Sequence, residues 1–184
     1  MHIRMFGRAV PAMLFIGLLA AAAVAAAQSG PANLLVNGSI DGGIEGWETW
    51  TPQGQPQISY DTTVYRSAPG SAKLQGFSAQ DRAALVQRPE VIPGKTYKIS
   101  AWVKTENVSR AGVMLRVQFN LATNPSQKTR DHIILGNLQG TNDWTLLEET
   151  FVVPPGTGTL IVEPFLDRAQ GIVWWDDITL TLLD

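Results

Sequence analysis

Hydrophobic and polar positions alternate with a period of two over most of this chain. TYKISAWVK (Thr96 to Lys104) sets Tyr97, Ile99, Ala101 and Val103 against Lys98, Ser100, Trp102 and Lys104. VMLRVQFNL (Val113 to Leu121) sets Val113, Leu115, Val117, Phe119 and Leu121 against Met114, Arg116, Gln118 and Asn120. That is the period of a strand with one buried face and one solvated face. Further strands are predicted at SAKLQG, RAALVQ, DHIIL, WTLLEETFVV, TLIVEPFL and GIVWWDDITLTLL, and no amphipathic helix competes with them. IPGK (Ile92 to Lys95) and PPGTG (Pro154 to Gly158) place Pro and Gly where strands must stop. NLLVNGSIDGG (Asn33 to Gly43) predicts a short strand running into a glycine-rich loop, and WETWTPQGQPQ reads as a loop. About eight or nine strands with regular turn signals predict an all-β fold, a two-sheet antiparallel β-sandwich of jelly-roll type.

One segment departs from this pattern. MHIRMFGR carries Arg4 and Arg8, an apolar run follows, and Ala25-Ala26-Ala27 precedes Gln28. A basic start, an apolar middle and a small-residue exit form the layout of a secretory signal peptide. Residues 1–27 are therefore expected to be removed, 28–32 to form a short flexible tail, and 33–184 to form one domain. The expected location is secreted or extracellular, with no membrane association after cleavage. The competing reading is an uncleaved anchor, for which the alanine-rich run is barely long enough, since a bilayer needs ~20 apolar residues.

Composition narrows the chemistry. The 14 basic residues include Arg4 and Arg8, so 12 face 16 acidic ones after cleavage, a net charge of −4. No stretch concentrates positive charge, which argues against nucleic acid as a partner. There is no cysteine, which excludes thiolate chemistry and leaves stability to the core or to a metal. His132 is the one histidine past the leader, and no serine sits in a GxSxG motif, so a nucleophilic triad has no support. Sixteen acidic residues make some carboxylate pair inevitable, and a pair alone does not indicate glycoside hydrolysis. The expectation is a non-enzymatic domain.

Several motifs occur in a telling order: NLLVNGSID, Gly46-Trp47, APGSAKLQG, VIPGKTYKISAWVKT, TNDWTLLEETFVVPPGT and GIVWWDDITL. As an ordered set they resemble the secreted carbohydrate-binding modules with a galactose-binding-like jelly roll, the group spanning families four, nine, sixteen and twenty-two. The resemblance covers essentially all of the chain past the leader. It implies a structural Ca²⁺ held by the Asp41 side chain, the Lys73 carbonyl and Asp176. Asp41 stands where the family motif usually has Glu. Strict alternation places Asp176 on the face of Ile178, Leu180 and Leu182. A carboxylate aimed inward needs a basic partner, a cation or hydrogen bonds. Asp177, of opposite parity, is expected at the surface.

The resemblance also implies a poly- or oligosaccharide as ligand, lying across a concave sheet. Trp102 shares a face with Lys98, Ser100 and Lys104. An aromatic plate on a polar face suits stacking against the apolar side of a sugar ring, unless a loop covers it. Arg116, Gln118 and Asn120 have the matching parity and donate hydrogen bonds in fixed planes. Glu163, isolated among apolar residues, can accept from hydroxyls, and Trp50 can reach the rim. These residues form one groove if their strands adjoin. Trp47, Trp144 and Trp174 are expected in the core, and Trp175 is left open. Possible partners include a glycoside hydrolase or a cell-envelope component. The alternatives are an extracellular adhesion or assembly module that binds protein, and a small polysaccharide lyase or glycoside hydrolase.

Overall fold

A computed structural model describes residues 31–128 and 132–184. The predicted leader, residues 28–30 of the tail, and Asp131 at the start of DHIIL lie outside the described residues. The elements are β1 (Glu48–Gln53), β2 (Gln57–Asp61), β3 (Ser71–Gly76), β4 (Arg82–Val86), β5 (Thr96–Leu121), β6 (Ile133–Val152), β7 (Thr157–Asp167) and β8 (Gly171–Leu182). All neighbouring pairs are antiparallel. The fold is all-β and of the β-sandwich type.

The two segments predicted as separate strands around Trp102 and Arg116 are one 26-residue strand, β5. Its first half, Tyr97 to Glu106, pairs with β8, and its second half, Val113 to Leu121, pairs with β7. The 20-residue β6 likewise joins DHIIL to WTLLEETFVV and runs beside both halves. The register slips between Val103 and Met114, and here the hairpin bends. Two layers result: β1-β4-β7-β5-β6 and β2-β3-β8-β5-β6, sharing the hairpin. Ile99, Ala101 and Val103 from one half and Leu115, Val117 and Phe119 from the other join a single buried cluster between the layers. Each fully buried aliphatic side chain contributes about 1.5–3 kcal/mol relative to exposure.

β1 falls inside WETWTPQGQPQ, which reads as a loop, and β2 starts at the last residue of that stretch, where no strand is predicted. β1 is exposed along its whole length, so it carries no apolar stripe for a period to reveal. The predicted strand at Asn33 is not one. Its side chain donates to the Ile178 carbonyl at 2.9 Å and accepts from the Leu180 N–H at 2.9 Å. Together with the backbone bonds Leu34 N–H to Leu180 O (2.8 Å) and Ile178 N–H to Gly38 O (2.7 Å), this side chain fastens the segment along β8, and the chain turns through left-handed Asn37 (φ 49°) and Ile40 (φ 58°).

The paired aspartates form a β-bulge. Trp102 lies opposite Asp176, but Ser100 lies opposite Thr179, so β8 carries one extra residue there. Asp177 absorbs it at φ 47°. The apolar parity switches across this point, from Val173 and Trp175 to Ile178 and Leu180. Asp176 therefore belongs to the face of Trp102, not to that of Ile178 as strict alternation implies. It is fully buried. Its Oδ2 accepts the N–H groups of Arg66 and Ser67 at 2.8 and 2.9 Å, and Oδ1 accepts the Asp177 N–H at 2.8 Å. Burial raises the Asp176 pKa above the usual carboxylate range, against the pull of the backbone donors, and the adjacent Asp177 charge raises it further.

These bonds hold the β2–β3 segment across the outside of the second layer. The Arg66 guanidinium lies 4.5 Å from the centre of the Trp102 ring, which is half-buried. Asp61 anchors the start of the segment. It accepts from the Thr63 N–H and hydroxyl, the Val64 N–H and the Trp174 indole N–H. Burial alone would raise its pKa, yet these bonds lower it to about 2. A folded-state pKa below the unfolded one stabilises the protein above pH ~4 and loses that contribution as pH falls toward ~2. Allowing for solvent screening, the wild type is expected to lose about 1–2 kcal/mol over that window. Asp61→Asn should show lower stability at pH 7 and a flatter acid limb, as urea melts at stepped pH would read.

Candidate functional site

The outward side chains of the first layer form rows across its strands. One row is Ile134, Arg116, Glu163. The next is Met114, Phe165, Ala84, Trp50. Beyond it lie Asp167 and Arg82, and on the other side Gln118 beside Ile161.

Arg116 and Glu163 are directly opposed and bidentate, Nε to Oε2 at 2.5 Å and Nη2 to Oε1 at 2.9 Å. Arg82 Nε donates to Asp167 Oδ1 at 2.6 Å. Both guanidiniums cover the Phe165 ring, at 4.7 Å for Arg116 and 5.4 Å for Arg82, which leaves that ring buried. Ala84 is the small residue between Phe165 and Trp50 in their row. The two rings therefore approach to 5.7 Å at 56°, and Arg82 lies 5.2 Å over Trp50. Gln118 donates to Asn120 Oδ1 at 2.8 Å, and its own Oε1 is 2.8 Å from His132 Nε2.

This is a built polar surface with an exposed apolar side chain at each side, an indole ring at one and an aliphatic group at the other. Trp50 is 37% and Ile134 52% exposed. They stand on the outermost strands of the layer, four strand spacings or ~19 Å apart. Each arginine is held in plane by a carboxylate, and Arg116 keeps Nη1 to donate elsewhere. Glu163 and Asp167 are tied to cations, which makes them poor proton shuttles. The surface can present flat apolar contacts and fixed planar donors to a polyhydroxylated ligand.

Arg116, Gln118, Asn120, Glu163 and Trp50 come together here, with Trp50 on β1 rather than in a loop. Glu163 is an arginine anchor, not an isolated acceptor. Trp102 does not join them. It shares β5 with Arg116, but the strand crosses between layers, so their outward faces point to opposite sides of the sandwich. Arg82, Phe165, His132 and Ile134 were missed. Phe165 was legible, since it shares parity with Glu163; the others depend on strand neighbours. Trp47, Trp174 and Trp175 are buried. Trp174 faces outward beneath Asp61 and Lys73. Trp144 is half-buried on β6 rather than in the core.

The residues expected to hold calcium do not fit a cation. Both Asp176 oxygens already face backbone N–H donors. Asp41 is exposed and accepts from Ser39 Oγ at 2.9 Å. Lys73 lies inside β3, paired with Ser59 and Trp174. Among the described residues, no cluster of three His, Cys, Asp or Glu could hold a metal.

A two-layered antiparallel sandwich with an aromatic and amide-lined sheet face has the architecture of a sugar-binding module. The chain belongs to the carbohydrate-binding domain family CBM_4_9, which it matches over residues 32–167. Among solved structures it is similar to a "Family 16 Carbohydrate Binding Module-2" (26% identity, TM-score 0.61, covering 81% of this chain and 99% of that one). It is also similar to TmCBM61 in complex with β-1,4-galactotriose (15% identity, TM-score 0.59, 83% and 99%). A third likeness is to the enzymatically active domain of bacteriophage CBA120 tailspike protein 4 (16% identity, TM-score 0.69, 82% and 21%). The chain spans about a fifth of that last chain. Among curated proteins, none matches the sequence.

Two measurements check this site. Adding a chelator should leave the melting temperature unchanged; a fall of several degrees would restore the metal. Glu163→Ala should cost about 1–3 kcal/mol in urea unfolding, because it leaves the half-buried Arg116 guanidinium without its charge partner.

Proposed function

We propose that this protein is an exported, non-catalytic carbohydrate-binding module that takes a poly- or oligosaccharide across the first-layer face. The observation that carries the reading is the run from Trp50 over Arg82, Phe165 and Arg116 to Ile134, with Gln118, Asn120 and His132 beside it. Trp50 stacks against a sugar ring, and Arg82, Arg116 and the amides direct its hydroxyls. Membership of the carbohydrate-binding domain family supports the ligand class, and the layout of residues 1–27 supports export. The guanidiniums are matched by carboxylates, which favours an uncharged glycan. Hydroxyl desolvation offsets much of the stacking gain, so affinity for a short oligosaccharide lies at about micromolar to millimolar Kd.

Trp50→Ala should weaken binding about tenfold or more, read by calorimetry with xylohexaose, β-1,4-galactotriose and soluble β-glucans. Trp102→Ala should change it by less than about twofold. The opposite pattern would move the site to the second layer. Binding of an envelope protein that sugars do not compete would favour adhesion instead. Release of reducing or unsaturated ends would show an enzyme.

A further inference from the structure

Beside the far end of β1 and β4 lies a recess of about 480 Å³, lined by Gly54, Gln55, Gln57, Phe77, Ser78 and Asp81. Its size falls within the range of small-molecule sites. Two loops make its walls, one between β1 and β2 and the other between β3 and β4.

Asp81 clamps these walls together. Its Oδ2 accepts the N–H groups of Phe77 and Ser78 at 2.7 and 3.2 Å. Its Oδ1 accepts the Ser78 hydroxyl at 2.7 Å and the Gln55 N–H, from the facing loop, at 3.3 Å. Gly54 sits against this carboxylate at φ 81°, and a Cβ there would lie 2.0 Å from Oδ1. Only glycine allows that approach. The recess is therefore preformed, and its one carboxylate is spent on the walls.

What remains for a ligand is Phe77, 51% exposed, and the exposed side-chain amides of Gln55 and Gln57. Phe77 follows the last residue of β3, and the Asp81 clamp prevents its backbone from turning it inward. An exposed ring beside two carboxamides, with no cation in the lining, suits a flat, polyhydroxylated, uncharged ligand. Gln53, which ends β1 opposite Arg82, donates to Gln80 at 3.0 Å and precedes the recess residue Gly54 in the chain.

We propose that this recess is a second saccharide site, separate from the sheet face, that holds one neutral sugar residue, a chain end or a branch, stacked on Phe77 and hydrogen-bonded by Gln55 and Gln57. It goes beyond the sheet-face reading and rests on that reading only for the class of ligand. The site makes the module bivalent on one glycan, since Trp50 and Gly54 are four residues apart, at most ~13 Å along an extended chain.

The test is a ¹H–¹⁵N titration of the labelled protein with free glucose, galactose, xylose and mannose, then with xylohexaose. The Gln55 and Gln57 side-chain amides report the recess, and the Trp50 indole reports the sheet face. The expected result is that at least one monosaccharide shifts the glutamine amides. Phe77→Ala should weaken that response about tenfold or more, Phe77→Tyr should keep it, and an unchanged Trp50 indole signal in each variant shows that the fold is retained. Glutamine amides silent toward all five sugars would overturn the second site, whatever Trp50 does. A response that survives Phe77→Ala undiminished would overturn it as well. Glutamine shifts with a silent Trp50 indole would support the recess and count against the sheet face alone.

Discussion

The bend in the β5–β6 hairpin is the constraint on which the rest of the structure depends. The 26-residue β5 pairs with β8 over one half and with β7 over the other, and so belongs to both layers. The register slips between Val103 and Met114 let the hairpin turn from one layer into the other. Both halves then face a single core, and their outward sides face apart. Trp102 and Arg116 are both outward residues of one strand, yet no ligand lying flat on one sheet reaches both. The function assigned to each residue depends on this bend.

The period of two was enough to reveal the fold. Tyr97, Ile99, Ala101 and Val103 are buried, as are Val113, Leu115, Val117 and Phe119, and IPGK and PPGTG turn where Pro and Gly demand. What the period could not show was anything that breaks parity. The extra residue at Asp176–Asp177 reverses the faces of β8, and no local composition signals it. β1 went unseen because an edge strand with both sides in water has no apolar stripe. The site was half legible for the same reason. Arg116, Gln118 and Asn120 follow from alternation on one strand. Phe165 shares the parity of Glu163 and was legible too, but Arg82 and Ile134 join only through cross-strand register, which a single sequence does not carry.

Three aspartates fasten loops in this cysteine-free chain. Asp61, Asp81 and Asp176 each accept from several donors in a neighbouring loop. Asp61 and Asp81 stay below the ordinary carboxylate range because those bonds outweigh burial. Asp176 lies above it because it is fully enclosed and sits next to Asp177. Hydrogen bonds to an ionised acceptor are about twice as strong as neutral ones, so one carboxylate can hold a loop that has little core of its own. The sign of each shift records the balance between lost water and gained N–H donors.

The same balance shapes the sheet face. Arg82 and Arg116 could each attract an acidic ligand, but each is already matched by a carboxylate at hydrogen-bond distance. An anionic sugar would have to compete with Asp167 or Glu163 for a guanidinium and would leave that carboxylate unpaired, a cost that is greater at the more buried Glu163. A neutral sugar needs no such exchange. It can accept from the remaining guanidinium N–H groups while both ion pairs stay intact. On the proposed reading the ion pairs disfavour the wrong charge, and the Trp50 ring and the Ile134 side chain supply apolar contact. The proposed site would on this basis tolerate many neutral chains, because stacking reads the shape of a ring and not the identity of every hydroxyl.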